Sequence, residues 1–195
     1  QSNNSNSYAF VSQISDYGNQ IFDDISNKKI SEAFFFESER ILKYFTQFKP
    51  NTAINILPYN NDKKLYDFEK SMFKEISNKL NLETILVNKE DQFSNYNQLD
   101  YQKCSIGITS TLLYENLGRG NKTGFFNYLK HYNIEGYSFN WPLNDRETLI
   151  STDKNDFENF LRIMKYLDEI SKVDWDKNID LFKENTMSFD EDNNK

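Results

Sequence analysis

Short apolar stretches alternate with amphipathic ones along most of the chain, and this alternation is the main structural signal in the sequence. The apolar stretches hold β-branched and aromatic residues and are bounded by polar residues or proline, which is typical of buried strands. We therefore predict five strands, at residues 8–14, 52–57, 84–87, 104–108 and 122–127.

Between these strands, apolar residues recur at steps of three and four, as expected for helices with one buried face. Ser31 and Asp62 are predicted to cap two of the helices, and Asn155 with Glu158 resembles the capping box of a later one. The segment 15–30, which contains glycine and several Asp and Asn residues, is predicted to be a long loop after the first strand.

Strands that alternate with helices predict a parallel sheet with helices on both faces. The expected fold is an open doubly wound α/β (Rossmann-like) domain of about five to six strands. We expect a single domain over 8–186, between a polar lead-in at 1–7 and an acidic tail at 187–195, with both ends disordered. In such folds ligands bind beyond the carboxyl ends of the strands.

One strand-to-helix junction, at residues 104–120, has the features of an anion site. An apolar strand ends at the small hydroxyl residues Thr109, Ser110 and Thr111, and the short helix that follows is predicted to have its C-cap at Gly118. The first N–H groups of a helix lack intrahelical partners, and the helix dipole is positive there, so this junction favours a phosphate. Ser110 or Thr111 can also serve simply as the N-cap of that helix.

Composition and charge argue against several classes of function. The net charge of −7 and the lack of a basic block argue against nucleic-acid binding, which depends on clustered Lys and Arg. The single cysteine, Cys104, cannot form an intramolecular disulfide, which fits a reducing, cytoplasmic location. No apolar run has the length of a membrane span. The single histidine, His131, argues against a multi-histidine metal site and is expected to be a surface or packing residue.

Several nucleotide-binding and signalling motifs are absent from the sequence. The first strand is not followed by G-x-G-x-x-G, the standard dinucleotide fingerprint, and no P-loop of the form G-x-x-x-x-G-K-[ST] is present. A receiver-type phosphoacceptor needs acidic residues after the first and third strands, where this chain has Ser12, Gln13 and Asn88.

The run from Ser110 to Glu115, followed by Gly118, Gly120 and a strand at 122–126, resembles the signature of the donor-binding lobe of GT-B glycosyltransferases. More narrowly, the chain resembles bacterial surface carbohydrate (surface polysaccharide) biosynthesis proteins, which share an S-T-L-x-Y-E-x-L-x-x-G-x-K core and four other segments. The matching segments are Phe10-Val-Ser-Gln13, Glu39-Arg-Ile-Leu42, Ile54-Asn-Ile-Leu-Pro58, 110–122 and Phe139-Asn-Trp-Pro142.

The resemblance implies roles for the residues of the 104–120 junction. Thr109, Ser110 and Thr111 would bind the donor phosphate through backbone N–H groups and hydroxyls. Glu115 lies on the same helical face as Thr111, and its carboxylate would accept hydrogen bonds from the ribose hydroxyls. Glu115 can equally be a solvated helix residue.

The resemblance also implies contacts from neighbouring strand ends and sets the expected partners. Ser12, Gln13 and Tyr59 would hold phosphate or base. The nucleotide-sugar is a substrate, and neither a cofactor nor a metal ion is expected. The acceptor, a glycan or a lipid-linked molecule, would bind an N-terminal lobe absent from this chain, which begins at Gln1 rather than Met. Peripheral association of the full-length protein with the inner membrane is compatible with this role.

The catalytic base commonly belongs to the acceptor lobe in inverting enzymes of this class, so this chain alone is expected to be inactive and its catalytic residue stays unassigned. Two alternatives remain open from the sequence. One is a nucleotide-sugar 2-epimerase of the same fold, which would use several acidic and histidine residues. The other is a non-catalytic interaction module that binds a protein through the aromatic segment 128–142.

Overall fold

The computed structural model describes residues 7–14, 25–88, 94–132, 149–151 and 157–186. Its sheet has six strands in the order β3-β2-β1-β4-β5-β6, and every neighbouring pair is parallel. This is the doubly wound order, which confirms the predicted fold class. The strands are β1 (Tyr8–Val11), β2 (Ile54–Leu57), β3 (Thr84–Leu86), β4 (Cys104–Gly107), β5 (Thr123–Phe126) and β6 (Ile150–Ser151).

The helices cover the sheet in two groups of contacting elements. The first group joins α1 to α2 and α5, and the second joins α4 to α3 and α6. Right-handed crossovers put these groups on opposite faces, because the chain runs from β1 to β2 in one direction and from β4 to β5 in the other. The helices are α1 (Ile25–Phe48), α2 (Lys63–Leu80), α3 (Ser94–Leu99), α4 (Thr111–Gly118), α5 (Phe157–Glu169) and α6 (Lys172–Thr186), with a 3₁₀ turn at Leu129–Tyr132.

The strands are buried because helices cover both faces of the sheet. All residues of β1, β4 and β5 are buried, whereas the edge strand β3 leaves Ile85 half exposed. Large aromatic side chains fill the space between sheet and helices, so the modest apolar content of the chain still makes a dense core. The largest fully buried residues include Trp175, Tyr128, Phe10, Phe34, Phe45, Phe73, Phe125, Phe126 and Phe160.

Two predicted boundaries on helix α1 and the loop before it are wrong. The helix already begins at Ile25, so Ser31 lies inside it rather than at its cap, and the predicted loop cannot reach Ile30. Ile30 packs against the core and extends the buried face of the helix, which outweighs the weak helix propensity of Ser and Asn in its first turn. Glu37, at a polar position of the pattern, is fully buried and pairs with Arg40 Nε at 3.1 Å.

The structure also tests the predicted caps of α2 and α4, whereas several other predicted features lie outside the described residues. Asp62 caps α2 as predicted, because its side chain accepts hydrogen bonds from the backbone nitrogens of Lys64 and Leu65. The C-cap of α4 is Arg119 rather than Gly118, and Gly120 adopts the positive φ of 89° that glycine tolerates. Strand β6 was not predicted. The lead-in up to residue 6, the 187–195 tail, Asn155, and residues 133–142 of the aromatic segment 128–142, which include the matching segment Phe139-Asn-Trp-Pro142, lie outside the described residues.

A charged cluster lies at the amino end of the sheet. The carboxylate of Asp168 accepts hydrogen bonds from Lys49 Nζ at 2.8 Å, from Lys103 Nζ at 2.6 Å and from the hydroxyl of Tyr8. Burial raises the pKa of Asp168, but the hydrogen bonds from Lys103, Lys49 and Tyr8 outweigh it and lower the pKa to about 2. The cluster therefore ties α5 to the amino ends of β1 and β4.

Replacing Asp168 with asparagine is expected to lower the free energy of unfolding at pH 7 by about 2 kcal/mol. The folded pKa lies below the unfolded value, so the stabilisation is complete above the unfolded pKa and is lost as pH falls from about 4 to about 2. Urea unfolding of both proteins across this pH range measures the effect. Asp67→Asn, at an exposed position of α2, is the matched control; an equal effect there would contradict the assignment.

Candidate functional site

The two central strands, β1 and β4, are neighbours whose outgoing connections leave in opposite directions along the sheet. A crevice forms at such a topological switch point, beyond the carboxyl ends of the strands. Here it is a cavity of about 270 Å³. Its lining comprises Val11, Ser12, Pro58, Tyr59, Asn95, Tyr96, Ser110, Thr111, Leu112 and Glu115.

Most of the site residues expected from the sequence meet at this cavity. Ser12 follows β1, Tyr59 follows β2, Ser110 and Thr111 form the start of α4, and Glu115 lies in its second turn. The chain brings them together because parallel strands present all their carboxyl ends at one edge. These side chains thus arrive from three separate segments of the sequence.

Gln13 and Thr109 lie beside this cavity rather than in its lining. The side-chain oxygen of Gln13 accepts a hydrogen bond from the backbone N–H of Thr109 at 2.9 Å. The bond joins the segments that follow β1 and β4, the two strands of the switch point. In this arrangement both residues shape the crevice, and their direct contact with a ligand stays a prediction.

The N-terminus of α4 differs from that of α2 in its capping. Ser110 is in the extended N-cap conformation, but its side chain makes no capping hydrogen bond. By contrast, the carboxylate of Asp62 fills the N-terminus of α2 through two backbone N–H groups. The backbone N–H of Leu113 donates to the carbonyl of Ser110 at 2.9 Å, whereas the N–H groups of Thr111 and Leu112 receive no partner from the Ser110 side chain. They lie at the positive end of the helix dipole, which suits an anion.

A buried carboxylate that the sequence pattern did not indicate supports the ends of β1 and β2. Glu69 of α2 is fully buried and accepts hydrogen bonds from the backbone nitrogens of Tyr59 at 3.0 Å and Asn60 at 3.3 Å. The amide of Asn60 donates to the same carboxylate at 3.2 Å and to the carbonyl of Ile14 at 3.0 Å. Burial raises the pKa of Glu69, while hydrogen bonds from Ser12, Tyr59 and Asn60 act in the opposite direction.

Glu115 is paired rather than solvated. The hydroxyl of Tyr96, on α3, donates a hydrogen bond to Oε2 of Glu115. This hydrogen bond, together with burial, raises the pKa of Tyr96 to about 12. The guanidinium of Arg119 lies 5.7 Å from the centroid of the Tyr96 ring and forms an ion pair with Asp100. These contacts hold α3 against α4 on one side of the cavity.

Asn95, a residue of the cavity lining, has a buried side-chain oxygen without a hydrogen-bond partner among the described residues. Its side chain is 5 % exposed, and its Nδ2 donates to the carbonyl of Pro58 at 2.8 Å. A carbonyl can only accept, so the amide nitrogen must face Pro58 and the oxygen is the remaining group. Asn95 Oδ1 has no hydrogen-bond partner among the described residues. A buried acceptor without a partner is costly, and a bound ligand or water that donates to it would remove that cost.

A sequence model of a protein family, described as "putative O-antigen biosynthesis protein", matches residues 1–195. The chain belongs to this family. Membership supports a role in surface-polysaccharide biosynthesis and agrees with the coarser part of the resemblance seen in the sequence. No curated protein matches the chain significantly.

For this family member, two further properties of the described residues bear on function. None of the described helices combines the length and apolarity needed to cross a bilayer. The described part of the chain contains no group of three or more His, Cys, Asp or Glu side chains placed to bind a metal ion.

A second cleft, of about 690 Å³, lies at the opposite end of the sheet between the carboxyl ends of α1 and α2. It is lined by turn residues such as Asn51 and Asn81, which hold positive φ angles of 60° and 49°. Such residues are needed to end helices, and this cleft has no unpartnered buried side-chain atom among the described residues. The switch-point cavity is therefore the better candidate site.

Proposed function

We propose that this chain binds a nucleotide-sugar as the donor lobe of a GT-B-type glycosyltransferase that acts in surface-polysaccharide biosynthesis. The observation that carries the proposal is the convergence of Ser12, Tyr59, Ser110, Thr111 and Glu115 on one cavity at the topological switch point. Membership of a family described by O-antigen biosynthesis supports the same pathway class.

The start of α4 would bind the donor phosphates. Its first N–H groups and the hydroxyls of Ser110 and Thr111 lie at the positive end of the helix dipole. In sugar transfer, negative charge develops on the leaving phosphate as the bond between sugar and oxygen breaks. Donors that are already oriented stabilise this charge without reorganisation, so this site could assist departure of the nucleotide without a metal ion.

The remaining cavity residues would position the nucleoside. Glu115 is within the second turn of α4 and would accept hydrogen bonds from the ribose hydroxyls. Tyr59, half exposed at the rim, offers an aromatic ring to the base. Ser12 would complete the floor between the two strand ends.

The acceptor, a glycan or a lipid-linked molecule, would bind a second lobe across the carboxyl edge of the sheet. That lobe would also supply the catalytic base, and its contact with lipid would place the whole protein at the inner membrane. The epimerase alternative uses the same nucleotide site and differs in its product, whereas an interaction module would need no nucleotide.

Calorimetric titration of the chain with UDP, CDP, CMP and GDP tests the proposal. At least one of them is expected to bind, and Ser110→Asp is expected to weaken that binding by about tenfold or more, because a carboxylate would occupy the phosphate position. Aspartate is a favourable N-cap, so the helix itself should remain stable. Ser71→Asp, which adds the same charge at an exposed site on α2, should leave the affinity unchanged.

Two results would contradict the proposal. Failure of all four nucleotides to bind would favour the interaction module instead. Equal binding by the Ser110→Asp variant and the unmodified chain would mean that a nucleotide binds elsewhere.

A further inference from the structure

We propose that Tyr96 is a positioning residue that makes the cavity selective for ribonucleotides over 2′-deoxyribonucleotides, by holding the carboxylate of Glu115 in the orientation that accepts the ribose hydroxyls. The inference rests on the proposed nucleotide-binding function and adds to it the part of the ligand that is recognised. It starts from the hydrogen bond between Tyr96 and Glu115 Oε2, two side chains that both line the cavity.

The hydrogen bond uses one of the two carboxylate oxygens and leaves the other available to a ligand. A partly exposed glutamate side chain such as Glu115 would otherwise sample several rotamers, and a ligand would have to order it on binding. Tyr96 removes most of this cost before the ligand arrives, which is how preorganisation increases affinity. The gain applies only to ligands that use the carboxylate, so it increases the difference between ribose and 2′-deoxyribose.

Tyr96 is itself held in place by charged neighbours. The guanidinium of Arg119 lies over its ring, Asp100 pairs with that guanidinium, and Asn121 Nδ2 donates to Asp100 Oδ1 at 2.9 Å. These contacts matter because α3 has only six residues and cannot be stable by itself. A phenol is protonated near neutral pH in any case, and the hydrogen bond to Glu115 raises the pKa of Tyr96 further, so Tyr96 remains a hydrogen-bond donor to Glu115.

Asn95, the residue before Tyr96, connects α3 to a second part of the fold. Asn95 donates to the carbonyl of Pro58 beyond β2, so the short helix is joined to β2 and to α4 at once. Helix α3 therefore holds Tyr96 next to Glu115, because contacts with the chain beyond β2 and with α4 both fix its position. A contact that served packing alone could lie anywhere along α3 and α4, whereas this one lies in the lining of the cavity.

The test compares affinities for the best-binding ribonucleotide and its 2′-deoxy counterpart. The unmodified chain should prefer the ribonucleotide by about tenfold or more, the usual range for one hydrogen bond to a charged group. Tyr96→Phe should weaken ribonucleotide binding by about fivefold and change 2′-deoxynucleotide binding by less than about twofold. Tyr101→Phe, the same change at an exposed residue just beyond α3, should alter neither affinity.

A double-mutant cycle separates positioning from packing. Glu115→Gln should remove most of the preference for ribose, and adding Tyr96→Phe to it should cause no further loss, because Tyr96 acts through Glu115. Asp100→Asn, which loosens Arg119, should shift the preference in the same direction by a smaller factor. Thermal unfolding of each variant checks that the fold is retained, and Asp100→Asn supplies the answer if Tyr96→Phe does not fold.

Three outcomes would overturn the inference. If Tyr96→Phe weakens both nucleotides equally, the residue is structural and the nucleotide-binding proposal survives alone. If it changes neither affinity, the hydrogen bond to Glu115 has no role in binding. If the unmodified chain binds no nucleotide, the proposed function fails and this inference fails with it.

Discussion

Replacing Glu69 with alanine is expected to lower the free energy of unfolding by about 3 kcal/mol, one of the two largest effects expected in this chain. The substitution removes the acceptor of three nitrogen donors, the backbone N–H groups of Tyr59 and Asn60 and the amide of Asn60. Asn60 is buried, so loss of the carboxylate removes an acceptor from its backbone N–H away from water, while its side-chain amide keeps only the carbonyl of Ile14 from this pair of acceptors. The cost of an unpaired buried donor exceeds the modest gain from an ordinary hydrogen bond.

Glu75 provides the control, because it is on the same helix and exposed. Glu75→Ala should change the free energy of unfolding by less than about 0.5 kcal/mol in the same urea titration. Glu69→Gln should fall between the two, since its amide keeps one acceptor but presents a donor to the donors of Asn60. A Glu69→Ala variant as stable as Glu75→Ala would show that water can replace the carboxylate.

The same variant should also affect the cavity. Glu69 orients the turn that carries Tyr59, and the side chain of Ser12 donates to its carboxylate. Loss of Glu69 is thus expected to weaken nucleotide binding even under conditions where the chain remains folded. The change in the free energy of unfolding and the change in nucleotide affinity are both measured on the Glu69→Ala variant, and the two changes need not be proportional.

Gly107→Ala is expected to destabilise the chain by about 2 kcal/mol or more, because the switch point has no space for a methyl group. A Cβ atom at Gly107 would lie 2.8 Å from the carbonyl oxygen of Val11 and 2.8 Å from Cδ1 of Leu113. Val11 is the partner of Gly107 in the pairing of β1 with β4, so its backbone cannot move without disturbing the centre of the sheet. Leu113 is a fully buried residue of α4.

Gly124→Ala, on the neighbouring strand β5, is the matched control. A Cβ atom there would meet only side chains, with Leu167 Cδ1 at 3.0 Å and Ile163 Cγ2 at 3.4 Å. Side chains can shift by a few tenths of an ångström, so we expect a cost of about 1 kcal/mol or less. Thermal and urea unfolding of both variants measures the difference, and equal destabilisation would contradict the special role of the β1–β4 contact.

The fold was largely predictable from the sequence because its main signals are local. The alternation of strands and helices and the small hydroxyl residues before α4 are properties of neighbouring residues, and both led to the correct architecture. Helix α1 began earlier than predicted because Ile30 gains stability from the core, a contact that helix propensity does not include. The two-residue strand β6 is too short to produce a pattern.

The candidate site was predictable only in part, because several of its residues depend on distant partners. Glu69 has a polar side chain at a position that looks solvated, and its burial is explained only by the backbone donors of Tyr59 and Asn60, at 3.0 Å and 3.3 Å. Asn95 and Tyr96 lie on a single short helix with no apolar repeat. Their importance comes from contacts with Pro58 and Glu115, which the fold brings close.

A nucleotide bound at the switch-point cavity should perturb the backbone amides that surround it. The most direct measurement is an NMR titration of the isotope-labelled chain with the best-binding nucleotide, following each backbone amide. The largest shift changes are expected at Ser12, Tyr59, Asn95 and the amides of 110–112. Changes confined to the cleft around Asn51 and Asn81, or no changes with any of UDP, CDP, CMP and GDP, would contradict binding at this cavity.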